Sequence, residues 1–184
     1  TELSGLSTGG IVLNRLVKIG GDRFDDANVS LVRHNLEFLI GRMTAERLRK
    51  EFGVFDQKTD TAITVSGRDL ITGGPGQTEI PISLVRAAMK DPIEECVHAI
   101  RTMIERTPPD VRRAIEAKGI YLTGGLSNMK GLSTYLQESI GLSVISSPQA
   151  ELCAVRGLQK IISDKAYYRR LLYSMLDDNY RWLR

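Results

Sequence analysis

Apolar residues recur along this chain with two periods, and the switches between them mark its elements. The sharpest switch lies at Gly119–Leu132. Ile120, Tyr121 and Leu122 form a short β-favouring run that Gly124-Gly125 cuts off. Beyond it Met129, Leu132, Leu136 and Ile140 return at helical spacing, and Gly141 supplies a left-handed stop. Leu142 to Ile145 reads as a further strand. After Pro148, the residues Leu152, Val155, Leu158 and Ile162 align along a helix from about Ala150 to Ile162. Strand, glycine turn, helix, strand, helix describes a βαβ unit with parallel pairing.

Upstream, Thr1 to Leu6 and Ile11 to Ile19 read as two strands, short apolar or β-branched runs around a Ser7-Thr8-Gly9-Gly10 reversal, a hairpin signal. Gly20-Gly21-Asp22 ends the second strand and opens a helix to about Ile40, with Phe24, Ala27, Leu31, Leu36 and Leu39 near one face. Asp22, Asp25 and Asp26 crowd its N-terminus, where the helix dipole favours negative charge; capping is the expectation, ahead of metal binding. Thr44 suits an N-cap for the next helix, Met43 and Leu48 have the spacing of a hydrophobic staple, and Ala45, Leu48 and Phe52 form the apolar stripe. Thr61–Ser66 and Thr78–Ile82 read as antiparallel strands around a Gly73–Gly76 surface loop. Asp91-Pro92-Ile93-Glu94 reads as a helix start, followed by a stripe of Val97, Ile100 and Ile104. Pro108-Pro109 ends that helix, and residues 110–118 form a short charged one. The expected fold class is α/β with a mixed sheet.

Composition narrows the function classes. The chain has 184 residues, enough for a sizeable core, with 42% hydrophobic and 26% charged residues, which argues against disorder. A net charge of +3 with no basic run before the C-terminus gives no case for nucleic acid as a partner. No apolar stretch approaches the length of a transmembrane helix, and no signal peptide is visible. Cys96 and Cys153 stand alone in apolar helical patterns and read as reduced thiols of a cytosolic protein. There is no Ser/His/Asp set, no metal-spaced Cys/His cluster and no Walker loop, and His34 and His98 read as surface residues.

Four stretches in order carry a resemblance. They are Lys18-Ile-Gly-Gly-Asp-Arg-Phe-Asp25, Thr44-Ala-Glu-Arg-Leu-Arg49, Val65-Ser-Gly-Arg-Asp-Leu70 and Leu122-Thr123-Gly124-Gly125. Over about residues 1 to 160 the chain resembles the C-terminal half of the bacterial actin-like MreB/Mbl family. The resemblance implies an actin-like ATPase fold built on a ribonuclease-H-like core. Residues 1–21 and 83–163 would form the large (IIA-like) subdomain of the C-terminal lobe, and residues 22–82 a small α+β inserted (IIB-like) subdomain. Glu46 would accept hydrogen bonds from ribose hydroxyls and Arg49, where the family usually has Lys, would lie beside the adenine. Thr123, Gly124, Gly125 and Leu126 would form the adenosine-side turn, with Thr1 at the edge of the phosphate site. The bland alternative for Glu46, Arg49 and Lys50 is a solvated helix face.

Several further expectations follow from the resemblance. The family's phosphate loops lie upstream of Thr1, so the chain reads as part of a longer protein with little ATPase activity of its own. The longer parent would bind ATP or ADP with Mg2+, self-associate into filaments in the cytoplasm and determine rod shape by organising wall synthesis. It would reach the membrane through filaments and partners such as the transmembrane anchor RodZ. This half alone would bind nucleotide weakly or not at all. A pure filament- or partner-interaction module and the lobe of a superfamily sugar kinase are the alternatives.

Past the resemblance, residues 164–184 place Tyr168, Leu171, Leu172, Met175, Leu176, Tyr180 and Leu183 at three- and four-residue spacing, an amphipathic helix. Docking on its own domain is the first expectation. Partner binding and a membrane-surface role are the alternatives, and Asp177-Asp178 interrupts the basic pattern that a membrane helix favours.

Overall fold

The computed structural model describes residues 1–7, 10–52 and 61–164. It opens on an antiparallel hairpin, β1 (Glu2–Ser7) with β2 (Gly10–Leu16), whose register slips between Gly5 and Leu6. Helix α1 (Gly21–Leu36) follows, then β3 (Phe38–Leu39), α2 (Arg42–Glu51), β4 (Ala62–Asp69) and β5 (Pro75–Pro81). The strands β3, β4 and β5 make an antiparallel sheet in that order. A long helix, α3 (Ile82–Glu105), leads to α4 (Pro109–Lys118), β6 (Ile120–Leu122), α5 (Leu132–Ile140), β7 (Val144–Ser146) and α6 (Cys153–Ser163). One-turn 3-10 segments at Gly125–Asn128 and Ala150–Leu152 precede α5 and α6.

The expected βαβ unit is present: β6 and β7 pair in parallel, Ile120 opposite Val144. Both kinds of pairing occur, but among the described residues the β1–β2 and β6–β7 ladders are separate rather than one continuous sheet. Helix α3 packs on α1 and α5, and it meets the hairpin where Met103 lies against Gly5. Val17, Phe24, Val32, Leu48, Ile80, Val85, Met89, Ile93, Leu136 and Val144 belong to one contiguous buried cluster.

Four local expectations are corrected. Helix α1 stops at Leu36, because Glu37 turns left-handed (φ 49°) and Phe38–Leu39 pairs with Arg68 and Asp69 instead. Gly67 permits that pairing, since a Cβ there would sit 2.4 Å from the Leu39 carbonyl oxygen and 2.5 Å from the Phe38 ring. The buried face of α1 is also rotated: it carries Phe24, Asp25, Asn28 and Val32 rather than a purely apolar stripe.

Helix α2 begins after Gly41, so Thr44 lies inside it. Met43 is 87% exposed and makes no staple with the fully buried Leu48. Helix α3 begins at Ile82, and Pro92 sits within it. A proline in a helix interior costs about 3 kcal/mol. Val85, Met89 and Ile93 are buried on one face across it, each contributing roughly 1.5–3 kcal/mol, which outweighs that cost.

Cys96 and Cys153 are free and half-buried. Burial pushes the Cys96 thiol above its ordinary value. His34 and His98 are exposed, as expected. No helix among the described residues is long and apolar enough to cross a membrane. The amphipathic segment expected beyond Asp164 lies outside the described residues.

Candidate functional site

The predicted site residues fall into two groups with different construction. The first is the turn after β6. Gly119 enters the strand at φ 79°, and a Cβ there would lie 2.5 Å from the Ser143 carbonyl oxygen, so only glycine lets β6 approach β7. After Leu122 and Thr123 the chain reverses at Gly124 (φ 87°) into the 3-10 segment, which begins at Gly125 and includes Leu126. The turn is braced from behind. Gly124 N–H donates to the Ala150 carbonyl at 2.8 Å, and Ser127 Oγ donates to the Gly124 carbonyl at 2.6 Å. Asn128 Nδ2 donates to Glu151 Oε2 at 2.8 Å, a bond that holds the Glu151 carboxyl below the usual range.

On its other side this turn is bare. A Cβ built at Gly124 or Gly125 meets nothing within 4 Å. At these two positions the space where a side chain would stand is open among the described residues, which leaves room for close approach of a ligand to the backbone.

The second group belongs to α1 and α2. Asp25 and Arg49, 24 residues apart, form a buried bidentate pair: Arg49 Nε donates to Asp25 Oδ1 at 2.8 Å and Nη2 to Oδ2 at 3.3 Å. The pair is 6% and 9% exposed. Gly21 makes room for it, because a Cβ there would lie 3.1 Å from Arg49 Nη2. This accounts for Gly21; at Gly20, the N-cap of α1, a Cβ would meet nothing. Asp22 likewise pairs, with Arg42 at 3.0 Å.

Glu46, one turn before Arg49 and Lys50, keeps 45% of its side chain exposed. Lys50 Nζ stands 2.7 Å from its carboxylate, and Arg49 3.9 Å. The Lys50 hydrogen bond and charge, with Arg49 adding to them, lower its pKa, so Glu46 stays an acceptor. Arg49 is thus committed inward, while the Glu46 carboxylate stays half-exposed in a surface pair with Lys50.

Thr1 is tied to the strand exit rather than standing free: its Oγ1 donates to the Ile19 carbonyl at 2.7 Å. None of these bonds joins the two groups to each other. No trio of His, Cys, Asp or Glu among the described residues could hold a metal ion. Sequence reasoning missed Asp25, which the Gly-Gly-Asp-Arg-Phe-Asp stretch offered only as one of three helix-start acids.

Comparison with known proteins places the arrangement. The MreB/Mbl protein family model matches residues 1–170. The chain is 34% identical over 158 residues to the cell shape-determining protein MreB of Escherichia coli, covering 85% of this chain and 46% of that protein. It is 29% identical over 174 residues to the cell shape-determining protein Mbl of Bacillus subtilis, covering 93% and 52%. It therefore spans about half the length of these relatives. Among solved structures, MreB5 of Spiroplasma citri bound to AMPPNP superposes with a TM-score of 0.85 at 23% identity, over 94% of this chain and 52% of that one. The MamK filament matches at 0.64 with 17% identity, over 80% and 45%. The fold is actin-like, and the chain belongs to the MreB/Mbl family.

Proposed function

We propose that this chain is the C-terminal lobe of an actin-like, nucleotide-binding protein that forms filaments and determines cell shape. The bare, braced turn at Thr123–Leu126 carries the reading. Its supporting company is the outward carboxylate of Glu46 and the kinship with MreB5, of which one structure holds AMPPNP and another ADP. In this reading the Gly124–Gly125 backbone packs against the adenosine, and Glu46 accepts from ribose hydroxyls. Arg49 acts from behind: pinned by Asp25, it holds the α1–α2 junction and adds a positive charge beside Glu46, rather than stacking on the base. Thr1 marks the edge of the phosphate site. Mg2+ would neutralise the phosphates in a longer parent, where ATP turnover also belongs, and this lobe alone would have little activity.

Residues 1–21 and 83–163 would then be the larger subdomain of the lobe and residues 22–82 the inserted one. Self-association follows the precedent of the MamK double helical filament. A cytoplasmic location, with membrane contact through filaments and an anchor such as RodZ, completes the proposal.

The test is a titration of the 184-residue chain with ADP and AMPPNP, followed by amide NMR. Half a cleft should bind at about millimolar Kd, roughly 4 kcal/mol. Shifts should centre on Glu46 and Gly124–Leu126, and Gly125→Val should abolish them. Shifts confined to other surfaces would reject the site.

A further inference from the structure

An open cleft of about 510 Å3 lies between strand β2 and helix α3, and neither the turn after β6 nor the α1–α2 pair contributes to it. Arg15 lines it from the strand, and His98, Thr102 and Arg106 line it at four-residue spacing from the helix and its C-cap. Leu13 and Met103 add apolar surface between them. No acidic side chain among the described residues lines the cleft, and neither Arg15 nor Arg106 has an ion-pair partner among them.

The same cleft borders a strand edge. Among the described residues β2 pairs with β1 alone. Thr1 and Val17 exchange both backbone hydrogen bonds, at 3.0 and 2.8 Å. Bonded pairs alternate along an antiparallel ladder, so Leu3 with Arg15 is the next one. Asn14 and Leu16 therefore turn their N–H and C=O groups away from β1, toward the open edge. Side chains alternate too: Leu13 and Arg15 face α3, while Leu16 lies on the opposite face, 71% exposed.

We propose that this edge takes an acidic, extended peptide as a third strand. Its backbone bonds to Asn14 and Leu16, which supplies affinity without regard to sequence. Carboxylates at every second position fall on the cleft side, beside Arg15, His98 and Arg106, and apolar residues between them fall beside Leu16. A second copy of this chain suits the edge poorly, because two β2 strands side by side would bring Arg15 of each onto one face.

The probe is a short end-blocked peptide of alternating Glu and Val, added to the 184-residue chain and followed by amide NMR. Shifts should centre on residues 13–16 and 102–106, and hydrogen exchange at the Asn14 and Leu16 amides should slow several-fold. Arg15→Gln with Arg106→Gln, both at exposed positions, should weaken binding about tenfold with far-UV circular dichroism unchanged. A peptide with Lys in place of Glu should not bind. The proposal is overturned if the peptide at millimolar concentration leaves the spectrum unchanged, if its shifts fall on other surfaces, or if the double variant binds it equally well. Binding that leaves exchange at Asn14 and Leu16 unslowed, and that inorganic phosphate reproduces, also overturns it and assigns the cleft to a small anion.

Discussion

Helices α3 and α6 are both amphipathic by sequence, yet they end in opposite situations. α3 buries nine residues, among them Val85, Met89, Ile93 and Val97, against α1, α5 and β5. α6 buries none, and neither does α4. The difference lies in the partners each helix finds. Helix α1, strand β5 and helix α5 all pack on α3, whereas α6 packs chiefly on its own entry turn at Ala150–Leu152, and the nearby β6–β7 pair is only three residues long. An apolar stripe identifies a face that requires cover, and it does not identify the cover.

The contrast can be broken most severely at the Asp25–Arg49 pair. Asp25→Ala strands a buried guanidinium, which typically costs about 3–5 kcal/mol. Urea denaturation should show a large drop in midpoint, since domains of this kind hold only about 5–15 kcal/mol in total. On the thinner side, Gly119→Ala forces a Cβ against the Ser143 carbonyl at a positive φ. It should cost about 2–4 kcal/mol by thermal melting.

Asn28→Leu should act with the opposite sign. The Asn28 side chain is 1% exposed, with neither amide atom hydrogen-bonded among the described residues, so removing it relieves a penalty of about 1–3 kcal/mol. A lower melting temperature would mean that a buried water satisfies the amide. Met43→Ser, on an 87% exposed side chain in the same region, should stay within about 0.5 kcal/mol.

The smallest effect is local and pH-dependent. Asp69 accepts from the amides of Thr72 and Ile71, which holds its carboxyl below the usual range. A lowered folded-state pKa means the turn keeps its order from neutral pH down past the ordinary carboxylate range. It loses that order only as pH falls through the lowered value. Amide shifts of Ile71 and Thr72 should therefore move later in an acid titration than a free aspartate would.

What could be read from the sequence were the features with local causes. The β1–β2 hairpin, the parallel βαβ unit and the Thr123-Gly124-Gly125 turn all follow from periodicity broken by glycine. What could not be read depended on partners distant in the chain. Asp25 looked like a helix-start acid until Arg49 was seen to lie against it. Leu39 continued a helical stripe, and Phe38 lay in the same expected helix, until Gly67 offered them a strand edge. Pro92 looked like a helix start, and only the buried residues on both sides of it show that α3 runs through. The outward Glu46 and the inward Arg49 carried the same weight in sequence, since a three-residue offset on a helix does not say which member turns to the core.

The length of α3 has a mechanical consequence. At 24 residues it is about 36 Å long. It starts where β5 ends and finishes beside the β1–β2 hairpin, where Met103 meets Gly5. Its length converts tilt into displacement: a tilt of about 5° at one end would sweep the other through about 3 Å. Pro92, lacking the amide that would tie it to the preceding turn, is the natural point of compliance along that length.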